Sequence, residues 1–314
     1  MLSAFAFDAA RIADVSVITT WDHRMGPCPL DSIDAYVVGS CDEEAALFRR
    51  LAESADAVFV IAPETENILL ERHDATLQAG GCWIGGSRLA IQVTSDKLET
   101  YKRLRESGVA TIPTVSLSAA ASLPEGMIVV KPRDGAGAEE TFLVDDVNDI
   151  SELPISRQSD DYVAQPLVDG DSVSCFSVVC RDHIQIFPTV RQRISRTVGH
   201  GGEPGQLRYL GGEMPLEHDF RQLVEDGLSA IGADEGHFGI DILIPRDGGR
   251  PMIVEFNPRL TTSYVGYREI IDQNLAERIL FPERFDTAIE TNGRRIEFDT
   301  SGMTTTWKAA EGHS

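Results

Sequence analysis

The residues best placed to do chemistry lie late in the chain, between His237 and Thr262. An apolar run from Phe238 to Ile244 carries Asp241 at its middle, and a second run from Met252 to Asn257 carries Glu255. Between them, Pro245-Arg246-Asp247-Gly248-Gly249-Arg250 supplies turn-forming residues, so the pattern predicts a β-hairpin with a long loop. An ionised carboxylate inside an otherwise apolar strand is costly without a partner. Asn257 lies two residues beyond Glu255 and so shares its strand face. Two acids and an amide that converge need a cation. Hard oxygen donors that leave positions open suit Mg²⁺ (or Mn²⁺) carrying the phosphates of a nucleotide. The plainer reading of either acid alone is an edge-strand residue facing water.

Upstream, Lys131 closes the apolar run Met127–Lys131 and precedes Pro132-Arg133-Asp134-Gly135-Ala136-Gly137-Ala138. A lysine at a strand end beside such a loop can hold phosphates, because glycine lets backbone N–H groups approach an anion. The P-loop spacing is missing, and the third position of a dinucleotide fingerprint falls on Glu140, so a plain surface hairpin is the alternative. Lys97 falls within a helical pattern running from Ser87 to Gly108, where a solvated lysine is the ordinary reading. Arg191, Arg193 and Arg196, followed by His200, Arg208 and Tyr209, form a cationic island in an acidic chain. Guanidinium groups bind carboxylates in bidentate fashion, so the island reads as a carboxylate-substrate site; surface arginines balancing nearby acids are the alternative. Thr261, Thr262 and Ser263 could line the same pocket.

These groups must be positioned by the surrounding elements. The first 95 residues alternate strands (Val15–Ile18, Ala35–Val38, Ala57–Ala62) with helices (Glu43–Glu53 capped by Asp42, and Thr65–Ala79 stopped by Gly80-Gly81). That alternation predicts a parallel sheet covered on both faces. The chain opens on a helical stretch, Ala4–Ile12, with no strand before it, so the first strand of this unit is expected upstream or absent. Further strands are expected near 114–116, 127–131, 173–179 and 184–187, with a short apolar segment at 161–167, and helices over 216–231 and 267–280. The glycine-rich stretch 195–213 reads as a mobile loop, and the tail from Thr304 as frayed. At 314 residues there is room for two or three domains, or one large one. A net charge of −22 speaks against a nucleic-acid or anionic-membrane partner, though not against ATP in a locally basic cleft. No apolar run approaches the ~20 residues of a membrane span, and the first residues lack a basic stretch, so no signal peptide is expected. Five cysteines without C-x-x-C spacing read as reduced thiols in a cytoplasmic protein.

The order of these pieces resembles the ATP-grasp superfamily of carboxylate–amine and carboxylate–thiol ligases. The carriers are Asp96-Lys97, then Lys131-Pro132 before the Gly/Ala loop, then Gln165-Pro166-Leu167, then Asp241 with Glu255-Phe256-Asn257, over roughly residues 85–280. The resemblance implies an α/β (α+β grasp) chain. An N-terminal open parallel α/β domain (1–95) would precede a grasp domain of two α+β subdomains, one small (96–166) and one C-terminal with the metal site (167–285), followed by an extension (286–314). It implies that Lys97 and Lys131 contact nucleotide phosphates, that the loop containing Gly135 and Gly137 closes over them, and that Gln165, Pro166 and Leu167 meet adenine through backbone groups. Asp241, Glu255 and Asn257 would hold Mg²⁺, and Arg259 would stabilise a phosphorylated intermediate. The family often carries Glu where Gln165 stands and an acid near Ser172, so Asp171 is the substitute for the ribose contact. The implied chemistry is phosphorylation of a carboxylate by ATP, then attack by an amine, with Arg259, Lys131 and Arg193 as the catalytic cations. It requires positioning and charge stabilisation rather than a protein nucleophile. Within the family, Tyr209-Leu210-Gly211-Gly212 followed by Pro215, and the run Glu255–Tyr264, look like the tyramine–glutamate ligase group. The expected partners are a small-molecule carboxylate such as glutamate, an amine, and a second copy of the chain in a homodimer. Alternatives are another amino-acid or peptide ligase, a nicotinamide-dependent dehydrogenase, and a non-catalytic nucleotide-binding protein.

Overall fold

The computed structural model describes residues 1–30, 33–135, 137, 140–181, 183–197, 204–216 and 218–308, with residues 307 and 308 described by backbone alone. Helix α1 (Leu2–Ala9) leads to β1 (Ile18–Asp22), β2 (Asp34–Val38), α2 (Cys41–Ser54), β3 (Val58–Phe59), α3 (Ile68–Gln78) and β4 (Trp83–Ile84). The strands pair in parallel as expected, but as two separate ribbons, β1–β2 and β3–β4, rather than one sheet. β3 and β4 share only two register pairs, too few to extend the ladder further. Ser40, not Asp42, caps α2, accepting from the Glu43 N–H; Asp42, Glu43 and Glu44 then fill the first turn, where the helix dipole favours anions.

Two helices, α4 (Arg88–Thr94) and α5 (Lys97–Glu106), stand where one was expected. Asp96 caps the second through the N–H groups of Leu98 and Glu99 at 3.0 and 3.1 Å. Lys97 therefore sits at a helix start, not mid-helix. Strands β5 (Val115–Ser116), β6 (Ile128–Pro132), β7 (Phe142–Val144) and β8 (Tyr162–Pro166) follow and bury a core of their own around Val130, Phe142 and Tyr162. The larger unit contains β9 (Gly170–Cys180), β10 (His183–Ile186), β11 (Thr189–Thr197), β12 (Gly205–Leu216), α6 (Arg221–Ala230), β13 (Glu235–Pro245), β14 (Met252–Asn257), α7 (Ser263–Ile270), α8 (Leu275–Leu280), β15 (Arg294–Asp299) and β16 (Thr304–Lys308). Among the described residues, twelve strands join in one sheet, with the path β14-β13-β9-β11-β12-β7-β6-β8-β5. The small unit is joined to the large one at β7–β12, through Gly205↔Leu143 and Gln206↔Phe142. No helix among the described residues is long and apolar enough to cross a membrane.

Three expectations are corrected here. Most of the glycine-rich stretch 195–213 is strand: β11 and β12 pair antiparallel from Thr189↔Leu216 to Thr197↔Gln206. Gly211 and Gly212 answer a close approach between strands rather than a loop. A Cβ on Gly211, whose φ is +124°, would lie 2.0 Å from the Phe298 carbonyl oxygen of β15. His200 lies outside the described residues. The helix expected over 267–280 is two, because Asn274 caps α8 through the N–H groups of Ala276 and Glu277. The tail is not frayed at Thr304, since β15 and β16 form a hairpin that extends the sheet from β12.

Helix α1 packs against the C-terminal helices. Phe5 and Ala9 join the core that contains Tyr264, Tyr267, Ile270 and Leu275. The buried Asp8 carboxylate accepts hydrogen bonds from Tyr264 Oη (2.7 Å) and from Arg268 Nε and Nη2 (2.7 and 3.0 Å). Phe5 stacks on Phe59, which stacks in turn on His237 of β13 with ring centroids 4.7 Å apart. His237 is 2% exposed, and burial pushes its imidazole down to about 4. The unfolded chain therefore takes up a proton near pH 6.5 that the folded protein refuses until about pH 4. Stability from this group is complete above pH 6.5 and is lost as pH falls through that window. His237→Phe should remove about 2–3 kcal/mol of the stability lost between pH 7 and 4.5. Urea unfolding of both proteins at the two pH values checks this; equal losses would refute it.

Candidate active site

The β13–β14 hairpin places Asp241 directly opposite Glu255, and Gly239 opposite Asn257. A register shift follows at Asp241/Ile242. Alternation along β14 then sends Glu255 and Asn257 to one face. Asp241 Oδ1 accepts from Gln192 Nε2 at 2.8 Å, and its Oδ2 from Asn257 Nδ2 at 3.4 Å. Glu255 Oε2 faces the two lysines, with Lys131 Nζ at 3.3 Å and Lys97 Nζ at 3.7 Å. Lys131 comes from the end of β6 and Lys97 from the start of α5, and their side chains are only 10% and 9% exposed. Lys97 also donates to the Gly135 carbonyl at 2.5 Å. Arg259 follows the hairpin; its Nη2 lies 3.4 Å from Asn257 Oδ1, and its Nε is ion-paired to Glu64 at 3.0 Å.

These side chains surround a cavity of about 440 Å³. Lys97, Lys131, Gly135, Gly137, Asp241, Glu255, Asn257 and Arg259 all border it, so eight of the residues selected from sequence come together. Tyr209, Thr261, Thr262 and Ser263 add a hydroxyl wall, and the Tyr209 phenol, pushed up to about 12 by burial, stays neutral. Ala136 and Ala138 lie outside the described residues.

Others do not converge. On β11, Gln192 and Ile194 border the cavity, so strand alternation turns Arg191 and Arg193 away from it. Arg193 is ion-paired to Glu297 of β15, and its Nη2 reaches the carbonyls of Leu210 and Phe298 at 3.5 Å, which removes it from the catalytic set. Arg196 lies against Met127 Sδ, and Arg208 donates to Gln206, so the cationic island is not the cavity wall. Asp171 is corrected by the same alternation. Ser172 and Ser174 border the cavity, while Asp171 accepts from Arg246 at 3.1 Å on the other face. Gln165 is buried and donates to Thr114 Oγ1 at 2.8 Å, and the Leu167 N–H donates to the Met127 carbonyl at 2.8 Å. Neither they nor Pro166 border the cavity. Sequence reasoning missed Gln192, hidden among arginines though strand alternation would have singled it out. It also missed Thr300 at the tip of the β15–β16 hairpin, which borders the cavity, and Glu64, which no local pattern marks.

The electrostatics are uneven. Burial opposes the charge of Glu255, but Lys131 and Lys97 outweigh it and hold this carboxyl below the usual carboxylate range. Burial, reinforced by Glu255, pushes the Asp241 carboxyl well above it, and the Asn257 and Gln192 amides and the charge of Lys131 compensate only in part. Two carboxylates and an amide oxygen are a hard donor set with an excess of negative charge, which fits a divalent cation. Among the described residues no group of three or more His, Cys, Asp or Glu side chains forms a metal cluster, so such an ion would need further oxygen ligands.

Residues 94–263 match the model of the ATP-grasp domain, and residues 15–91 that of the pre-ATP-grasp domain. The chain belongs to the ATP-grasp family. A curated relative of this ATP-grasp protein is the tyramine–L-glutamate ligase of Methanocaldococcus jannaschii, 25% identical over 233 residues. The match covers 73% of this chain and 63% of that protein, so the chain spans under two thirds of that relative's length. The fold is shared with biotin carboxylase from Campylobacter jejuni (TM-score 0.75, 16% identity, 95% of this chain and 73% of that one). It is shared too with L-amino acid ligase from Bacillus licheniformis (TM-score 0.72, 16% identity, 94% and 75%).

Because ionised Asp241 faces Glu255 without a cation of its own, its charge destabilises the protein as pH rises above the ordinary carboxylate range. Asp241→Asn should therefore raise metal-free stability at pH 8 by roughly 1–3 kcal/mol. Urea unfolding in chelator is the check, and a loss of stability would contradict this reading of the pair.

Proposed function

We propose that this ATP-grasp protein is an ADP-forming ligase that joins a carboxylate to an amine, with glutamate as the acid and tyramine as the amine. The observation that carries the proposal is the convergence of Lys97, Lys131, Asp241, Glu255, Asn257 and Arg259 on one cavity. The substrates are drawn from the likeness to tyramine–L-glutamate ligase over 73% of the chain.

A carboxylate is a poor acyl donor at neutral pH. Transfer of the γ-phosphoryl group of ATP to it gives an acyl phosphate, which the amine attacks with loss of phosphate. Lys97 and Lys131 bind phosphate oxygens in exchange for Glu255, which they face at 3.7 and 3.3 Å. The backbone at Gly135 and Gly137 lies against the same anion. Asp241, Glu255 and Asn257 would hold Mg²⁺ (or Mn²⁺), which when bound neutralises phosphate charge and fixes the orientation of the nucleotide. Arg259 presents its Nη donors to the acid substrate and to the charge that develops on it. Ser172, which borders the cavity, replaces Asp171 as the ribose contact. The hydroxyl wall of Tyr209, Thr262 and Ser263 receives the amine. All the partners in this reading are small molecules, and the free cysteines fit a reducing cytoplasmic setting.

The test is an ADP-release screen of amino acids against amines with ATP and Mg²⁺. Glutamate with tyramine should give the fastest release, and Glu255→Gln should lower it by roughly 100-fold or more. Faster turnover of a different acid–amine pair would replace the substrates. Absence of ADP with every pair, or wild-type turnover by the variant, would overturn the ligase reading.

A further inference from the structure

Glu64 belongs to the N-terminal unit, directly after Pro63, and is 5% exposed. Its Oε2 accepts a hydrogen bond from Arg259 Nε at 3.2 Å, across 195 positions of sequence. Its Oε1 lies 3.0 Å from the same nitrogen yet accepts no hydrogen bond of its own. The segment around it is held firmly. Glu66 and Asn67 both adopt left-handed backbone, at φ 54° and 62°, a conformation that non-glycine residues keep only when their surroundings impose it. The Glu66 N–H donates to Asp134 Oδ2 at 2.9 Å, and Thr65 Oγ1 to the Asp134 carbonyl at 3.4 Å. Asp134 directly precedes Gly135, which borders the cavity. One short stretch thus touches both the glycine loop and the arginine.

A guanidinium carries five N–H donors in a fixed fork. Glu64 occupies the Nε edge. The distal nitrogens make only long contacts, Nη1 to the Leu260 carbonyl and Nη2 to Asn257 Oδ1, both at 3.4 Å. They are therefore available to an anion in the cavity that Arg259 borders. Arg259 also feels Glu255 on the hairpin, whose charge it helps to stabilise. Without a closer anion behind it, the guanidinium would be drawn towards Glu255 and would compete there with Lys97 and Lys131.

We propose that Glu64 is a positioning residue: it holds Arg259 by the Nε edge so that the Nη donors face the reacting carboxyl group, which makes the N-terminal unit part of the active site. The inference rests on the ligase reading, in which Arg259 meets the acid substrate. The test is a double-mutant cycle of Glu64→Gln and Arg259→Ala, read as ADP release with separate kcat and KM values for the acid and for ATP, together with a crystal structure of Glu64→Gln. Glu64→Gln should lower kcat/KM for the acid roughly 10- to 100-fold while the KM for ATP stays within about twofold. In the Arg259→Ala background the same change should cost less than about twofold, because the group it acts through is gone. The crystal structure should show the Arg259 guanidinium displaced towards Glu255. Equal costs in both backgrounds, or an unmoved Arg259, would overturn the proposal. If the wild-type protein turns over no acid–amine pair, the ligase reading fails separately, and the position of Arg259 in the Glu64→Gln crystal still decides this one.

Discussion

Two partly buried carboxylates face each other across the β13–β14 hairpin, and the arrangement of the cavity answers that repulsion. Like charges directly opposite on paired strands are unfavourable, more so away from water. Glu255 is stabilised from outside its own hairpin, by Lys131 at the end of β6 and Lys97 at the start of α5. Asp241 receives only amide donors, from Gln192 and Asn257. The metal-free site is therefore balanced on one side and short of positive charge on the other. Such uneven compensation is the pattern that functional sites favour over stability.

Three parts of the chain have to meet for this to work. The small β5–β8 unit, with its own core, brings Lys131 and the glycine loop over the hairpin, while the sheet joins it to the large unit at the β7–β12 contact. Asp96 both caps α5, which places Lys97, and binds Arg133 beside the loop at 2.8 and 2.7 Å. The N-terminal unit adds the anchor of Arg259 through Glu64, and α1 is fastened to α7 by the buried Asp8. Lys97, Lys131 and Arg259 are thus held by contacts distant in sequence from the hairpin that they adjoin.

The hairpin itself was legible, because an acid at the centre of a branched apolar run has few explanations. Lys131 was legible from its position between a strand and a glycine loop. The arginine island was read from guanidinium chemistry, without the strand that carries Arg191 and Arg193. In a loop any side chain could turn inward, but in the β11 strand every second one is committed outward, and Arg193 goes to Glu297. The same alternation exchanges Asp171 for Ser172. Glu64 and Thr300 carry no local signature, since each reaches the site through long-range packing. The break before Lys97 was written in Ser95-Asp96, a capping pair that the continuous helical pattern concealed.

The central claim is that Asp241, Glu255 and Asn257 share a divalent cation with a nucleotide whose phosphates lie on Lys97 and Lys131. Anomalous diffraction from crystals grown with Mn²⁺ and a nonhydrolysable ATP analogue tests it most directly. The account predicts a manganese peak in contact with both carboxylates and with the analogue's phosphates. Nucleotide bound in the cavity with the manganese elsewhere, or with Asp241 and Glu255 ligating nothing, would contradict it.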